Sequence, residues 1–356
     1  MNSPWTIAGI MSGTSLDGLD IAVCRFEEAG GLWQFEILEA ATLPYTDPWR
    51  NRLTSAFGED AWSLAKLHSD YGKYIGECSR EFFKAKGIQP QLIASHGHTI
   101  FHRPEEGVSF QLGCGAAIAA ATGITTVCDF RTLDVALGGQ GAPLVPVGDH
   151  YLFGGHKFCL NLGGFANISF EKEGKRLAFD ICPANTALNY LASRRGLEFD
   201  SGGDLAMNGQ IIPELLDQMN SLAFYHQQGP KSLGREWFEK AFLPLISNGN
   251  YSIEDRLRTT VEHIGMQIGN CLFLAPGTTL FTTGGGAFNH FLIETIEEHI
   301  SRHGIHVVVP DSNVVQFKEA LIFAFLGLLR HLGRTNVFSS VTGAEKDSSS
   351  GAVYGG

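Results

Sequence analysis

Asp180 ends an apolar run, LAFD, just before a proline turn, where a carboxylate can point into a cleft and accept a proton from an attacking water. The residues alone leave a second role open, capping from outside the helix expected after Asn185. His96, Thr99, His102 and Arg103 crowd into HGHTIFHR, and Arg131 and Asp134 follow in RTLD. Such donors and acceptors suit sugar hydroxyls, and an arginine can grip a carboxylate with two parallel bonds. A buried polar network is the other use of these groups. A metal site there is rejected, because HxH suits a strand and no carboxylate converges nearby in sequence. Asp17 and Asp20 are hard oxygen ligands suited to Mg²⁺, directly or through water, or else they stabilise a turn. Glu319 stands among apolar neighbours in FKEALIFAFLG. It needs a partner if buried, or it sits exposed in the first turn of a helix, where the dipole favours it.

Three glycine-marked segments would position these groups. IAGIMSGTSLDGLDIAVCRF and FCLNLGGFANISF each read as an apolar run, a tight turn and a second apolar run. Glycine lets backbone N–H groups approach a ligand closely, and successive N–H groups in a turn form an anion site. Two such turns could clasp a polyphosphate, which suggests a nucleotide held between two lobes. A third cluster, TTGGGAFN, follows an apolar run at 279–281 and leads toward a helix.

Apolar periodicity predicts strands at 7–11, 21–26, 33–40, 92–95, 125–128 and 177–181 beside the second hairpin. Helices are expected in 49–86 and at 116–122, 186–194, 237–245, 253–274 and 317–332. Strand meanders followed by helices, twice over, read as α/β with an internal duplication. The polar, glycine-rich stretch RTLDVALGGQGAPLVP is the expected crossing, giving a first lobe of 1–133 plus 338–356 and a second of 134–337. The Ser/Gly-rich tail EKDSSSGAVYGG is expected to be mobile.

A chain of 356 residues is long for one core and suggests two domains. A net charge of −11 argues against nucleic-acid binding. No apolar stretch stands out as a bilayer span, and the first residues run straight into a strand without a secretory pattern. The seven scattered cysteines form no CxxC pair, which points to reduced thiols and a cytoplasmic location.

GIMSGTSLDGLDIA, ASHGHTIFHRP, DFRTLDVALGGQGAPLVP, NLGGFANIS, GGGAFN and SVTGA together resemble the anhydro-N-acetylmuramic acid kinase family, in its order and from Ile10 to Ala344. The resemblance implies two duplicated ribonuclease-H-like lobes with a central nucleotide cleft, the actin-like ATPase fold. It implies a cytoplasmic enzyme of cell-wall recycling that uses ATP and Mg²⁺. Its reaction converts 1,6-anhydro-N-acetylmuramic acid to N-acetylmuramic acid 6-phosphate, with water opening the anhydro bridge. Asp180 becomes the base. Ser12, Gly13, Thr14 and Ser15 line the first phosphate turn, with Asp17 and Asp20 for Mg²⁺. Asn161, Gly163 and Gly164 form the second turn, and Gly284, Gly285, Gly286 and Asn289 meet the adenosine side. His96, Thr99, His102, Arg131, Asn185 and Glu319 meet the sugar. The implied partners are an amino sugar and ATP, with no nucleic acid and no membrane, and a homodimer is the assembly to test.

Four positions in two motifs depart from the family pattern. Its catalytic segment usually reads Asp-Thr-Gly-Pro-Gly-Asn, whereas this chain has Asp180-Ile181-Cys182-Pro183-Ala184-Asn185. The added side chains are expected to narrow the site, leaving a kinase of a different amino sugar, or a nucleotide-gated binding protein without turnover, as alternatives. His98 stands where the family commonly has Gln.

Overall fold

A computed structural model describes residues 4–13, 16–227, 231–247 and 249–356. Thr14 and Ser15 therefore lie outside the described residues. The chain divides into two units, 1–152 with 317–356, and 153–316. These divisions lie at 152/153 and 316/317, away from the boundaries expected near 133 and 337. The glycine-rich stretch 134–144 stays within the first unit because Asp134 ties it down. Its carboxylate accepts from the Gly141 N–H at 2.7 Å and from the Thr342 hydroxyl at 2.7 Å. The return crossing coincides with a kink at Phe317 (φ −111°, ψ 16°) in the helix Ser312–His331.

In the first unit, β1 (Trp5–Ser12), β2 (Gly18–Ala29) and β3 (Leu32–Pro44) form an antiparallel meander. β4 (Leu92–Ser95) runs parallel to β1, and β7 (Thr126–Cys128) parallel to β4. Between them, β5 (His98–Arg103) and β6 (Val108–Leu112) make a separate hairpin. In the second unit, β8 (Phe158–Leu162), β9 (Phe165–Lys172) and β10 (Lys175–Pro183) form the meander. β11 (Thr278–Thr283) and β12 (Ile305–Val308) add the parallel strands. The orders β3-β2-β1-β4-β7 and β10-β9-β8-β11-β12 are the same topology, so the expected duplication is present strand for strand.

The tail corrects an expectation. β13 (Ala352–Tyr354) pairs antiparallel with β7 and closes the edge of the first sheet. Asn336 fixes the approach to it, donating to the Ser350 carbonyl at 2.9 Å and accepting from the Ser350 N–H at 2.7 Å. The composition suggested mobility, but an open edge of unpaired N–H and C=O groups recruits even a Ser/Gly-rich strand.

Helices cover the sheets because their apolar residues recur on one face. Ala61–Lys86 is started by Asp60, whose carboxylate accepts from the N–H groups of Trp62 and Ser63, and ended by Gly87 at φ 64°. It buries Leu67, Tyr71, Ile75, Phe82 and Phe83 with Ala8, Ile10, Leu19 and Ile21 of the sheet. Ile253–Cys271, capped by the Ser252 hydroxyl, buries Leu257, Val261, Ile264 and Ile268 with Phe158, Leu160 and Ile168. Each such large side chain, fully buried, contributes about 1.5–3 kcal/mol. Ser312–His331 has the length and composition to cross a bilayer, but most of it is buried in the protein. Its backbone lies on β1 at Gly9, where an added Cβ would come within 2.8 Å of the Ala320 carbonyl carbon and of the Ala324 nitrogen.

Candidate active site

In the first unit the polar motifs converge on Arg131. Its Nε and one terminal nitrogen donate to His96 Nε2 at 3.1 and 2.9 Å, and Nη1 donates to the Gly141 carbonyl at 2.7 Å. Three of five N–H groups are thus used among the described residues, and two remain to grip an anion. Burial draws the guanidinium down to about 10, partly offset by Glu319, so it stays charged at neutral pH. His96 is buried, and its Nδ1 lies 2.9 Å from the Gly97 carbonyl. A nitrogen that faces a carbonyl must carry the proton, so Nε2 is the acceptor and the ring is neutral. Burial and then Arg131 push its pKa well below the ordinary histidine value. With both ring nitrogens engaged, His96 orients Arg131 and has no nitrogen left for a sugar.

Glu319 follows the kink at Phe317 and is solvent-accessible, in neither of its two expected settings, since the helix begins seven residues earlier at Ser312. Although solvent reaches it, protein atoms crowd around the carboxyl, and this desolvation pushes it up, while Arg131 pulls it down and Asp20 pushes it up again. Asp20 is itself raised, first by burial, while the Thr42 hydroxyl, 2.5 Å from Oδ1, lowers it and Asp17 raises it. Asp17 is exposed. Thr99 is half-buried on β5, and exposed His102 has Nδ1 3.1 Å from the Ser109 hydroxyl. Burial and then Arg131 hold the His102 pKa down.

Gly13 begins the first turn, its carbonyl accepting from the Leu16 N–H at 3.3 Å. Ser12, before it, is buried and turned inward. The Tyr45 hydroxyl donates to Ser12 Oγ at 2.7 Å, Tyr71 lies 2.6 Å from Tyr45, and His98 Nδ1 lies 2.9 Å from Ser12 Oγ. The motif reading missed this network, although the His98 departure marked one end of it.

In the second unit the registers set Asn161, Asn167 and Asp180 opposite one another across β8, β9 and β10. Directly opposed residues share a face, so the three make a polar row. The register then shifts between Asp180 and Cys182, which pairs Cys182 with Ala166. A bulge of this kind re-aims side chains. Here it sends Cys182 into the core with Ile181, Ala184 and Ala166, all buried. Ala184 is buried in the same core, at φ −122° and ψ −101°, outside the usual α and β regions. Because they pack into this core, the added side chains do not narrow the site.

Asp180 is half-buried, and its Oδ2 accepts from the Leu233 N–H at 2.8 Å. Desolvation pushes its pKa above the ordinary 3.8, and the Leu233 bond partly offsets this. Oδ1 takes no hydrogen bond from the described residues. The helix Asn185–Ser193 begins without a side-chain cap, so Asp180 does not cap it.

The tip of the β8–β9 hairpin carries the second glycine turn. The Gly164 carbonyl accepts from Ala184 and Thr186, the Gly163 carbonyl accepts from Asn185, and Asn185 Nδ2 donates to the Leu162 carbonyl at 3.0 Å. Gly284, at φ 85°, packs so closely that an added Cβ would stand 2.8 Å from the Leu162 carbonyl. Asn161, Gly163, Gly164, Asn185 and the three glycines are thereby gathered. A cavity of about 380 Å³ adjoins them, lined by Asn185, Phe199, Gly285, Gly286, Phe288 and Asn289 among others. Asn289 also caps the next helix, His290–Ser301, accepting from the Leu292 N–H at 3.0 Å. Phe199 and Phe288 were missed, though the glycine pair Gly202-Gly203 beside Phe199 was a usable signal.

Two units with one strand order, each with glycine at the turn after its first strand, define a duplicated ribonuclease-H-like protein of the actin-like ATPase fold class. The anhydro-N-acetylmuramic acid kinase family model matches residues 6–356, and the chain belongs to that family. An anhydro-N-acetylmuramic acid kinase of Aliivibrio fischeri is 34% identical over 370 residues, covering 97% of this chain and 98% of its own. Another, of Gloeobacter violaceus, is 34% identical over 377 residues and covers 99% of each. Among solved structures, component A of the (R)-2-hydroxyglutaryl-CoA dehydratase of Acidaminococcus fermentans is similar with a TM-score of 0.46 at 13% identity. That likeness covers 91% of this chain and 97% of that one.

Proposed function

We propose that this chain transfers the γ-phosphoryl group of ATP to O6 of 1,6-anhydro-N-acetylmuramic acid while water opens the anhydro bridge, as a step of peptidoglycan recycling. Within a family match over 6–356, the carrying observation is Asp180, half-buried, with one carboxylate oxygen held and the other taking no hydrogen bond from the described residues. That second oxygen takes a proton from water. The water oxygen bonds to C1, the C1–O6 bond breaks, O6 takes the phosphoryl group and ADP leaves. Phosphoryl transfer then needs mainly positioning and charge neutralisation.

We assign phosphate contacts to Gly13, to the Gly163–Gly164 turn, and to Thr14 and Ser15, which lie outside the described residues. The 380 Å³ cavity, with Phe199 and Phe288, suits a purine nucleoside. The two free N–H groups of Arg131 suit the lactyl carboxylate, with Thr99, His102, Asn185 and Glu319 left for the sugar. Burial, with Asp17 nearby, raises the cost of ionising Asp20, a cost that a divalent cation held there would relieve. When bound there, Mg²⁺ would neutralise charge on the transferring phosphates.

The core placement of Cys182 and Ala184 removes the reason for expecting a different sugar. The test is ADP release with the anhydro sugar, with N-acetylmuramic acid and with glucosamine derivatives. Turnover confined to the anhydro sugar is expected. Equal turnover with the ring-opened sugar would refute the coupled hydrolysis.

A further inference from the structure

The carboxylate of Asp180 is held by a segment far away in sequence. Leu233 donates its N–H to Oδ2 at 2.8 Å, and the Asp180 N–H donates to the Lys231 carbonyl at 2.9 Å. Both ends of Asp180, side chain and backbone, thus rest on residues 231–233. This short strap has no helix or strand of its own. Its anchor is the Lys231 side chain. The ammonium donates to the Phe224 carbonyl at 3.1 Å, reaches the Gln227 carbonyl at 3.5 Å and sits 4.4 Å from the centre of the Phe224 ring. Phe224 is buried and packs on Trp237, at 5.3 Å between ring centres.

We infer that Lys231 is a positioning residue for the reaction: by tying residues 231–233 to the turn at Phe224, it holds the Leu233 N–H on Asp180 Oδ2 and so aims the free oxygen at water. The inference rests on Asp180 being the base. A lysine suits the task because an ammonium can serve two carbonyls and an aromatic face at once. The Leu233 bond also favours the ionised carboxylate, so losing the strap raises the Asp180 pKa further.

Lys231→Met keeps the stem and removes the ammonium. Its kcat on the anhydro sugar should fall by about 100-fold, the loss produced by a base displaced by an ångström. KM for ATP should stay unchanged, and the acid limb of the kcat–pH profile should move to higher pH. Lys231→Arg should restore most of the rate and return the limb. Leu233→Pro, which removes the N–H donor while also fixing φ and replacing the leucine side chain, should reproduce the limb shift even if Lys231→Met folds poorly. The inference is overturned by a Lys231→Met enzyme with wild-type kcat and an unmoved limb. It is equally overturned by a variant whose kcat and KM for ATP worsen together with the limb in place, since that marks general loosening of the unit. Asp180→Asn is assayed beside them. If it keeps wild-type turnover, the assignment of the base has failed, whatever Lys231→Met does.

Discussion

Asp180 and Arg131 carry opposite charges and opposite consequences of burial. At Asp180, desolvation raises the pKa, so the proton-accepting form is lost at a higher pH than for an ordinary aspartate. The rate should therefore fall on acidification through a limb lying above 3.8, and the kcat–pH profile measures it. Asp180→Asn should abolish that limb and lower the rate by about 10²–10⁴-fold. ATP affinity, read by calorimetry, should survive. Arg131 is a two-pronged donor held from behind by His96 and Gly141. Arg131→Lys keeps the charge but loses the fork, and should raise KM for the anhydro sugar by about 10-fold or more. The loss should vanish with an analogue that lacks the lactyl carboxylate. Sequence spacing brought His96 and Arg131 onto one page because both stand in polar runs after apolar strands. It could not show that His96 spends both nitrogens on the protein, since that depends on a contact across 35 positions. The Leu233 bond to Asp180 was illegible for the same reason, a backbone donor having no side-chain signature.

Among the elements, the two hairpins were readable because alternating apolar residues and a glycine turn are local signals. The bulge in β10 was not. Nothing in DICPAN announces that the register slips, yet the slip decides which way Cys182 points. Restoring the family pattern with Cys182→Gly and Ala184→Gly should therefore leave sugar preference unchanged. The Cys182 change should cost stability, by roughly 1 kcal/mol or more, because glycine loses packing and gains unfolded-state freedom. Denaturant titration and a substrate panel check the two halves of this statement. Gly284→Ala is different in kind. It meets the Leu162 carbonyl at 2.8 Å while holding φ at 85°, so both sterics and backbone oppose it. Loss of folded protein in thermal melts is the expected outcome.

At the scale of the molecule, the duplicated strand order followed from the repeated alternation of meander and helix. The division points did not follow, because a glycine-rich stretch resembles a linker until its buried partners are known. Asp134 and Thr342 supply those partners here. The second unit is one continuous segment, whereas the first is assembled from both ends of the chain. Deleting the stretch from Ala352 onward should leave the outer edge of β7 unpaired and lower the melting temperature of the first unit, leaving hydrogen-exchange protection in 153–316 close to wild type.

Synthesis on the ribosome runs against that architecture. Domains ordinarily fold in the order they emerge, amino-terminal first. Here the sheet that begins with Trp5 lacks its edge strand until Tyr354 has been made, and lacks the helix lying on β1 until His331 has been made. The middle of the chain is thus free to fold before the beginning does. Nascent chains arrested at successive lengths should gain protease resistance in 153–316 while β1–β4 are still cleavable. An interrupted message then yields a folded second unit beside an unfinished first one, and no partial kinase.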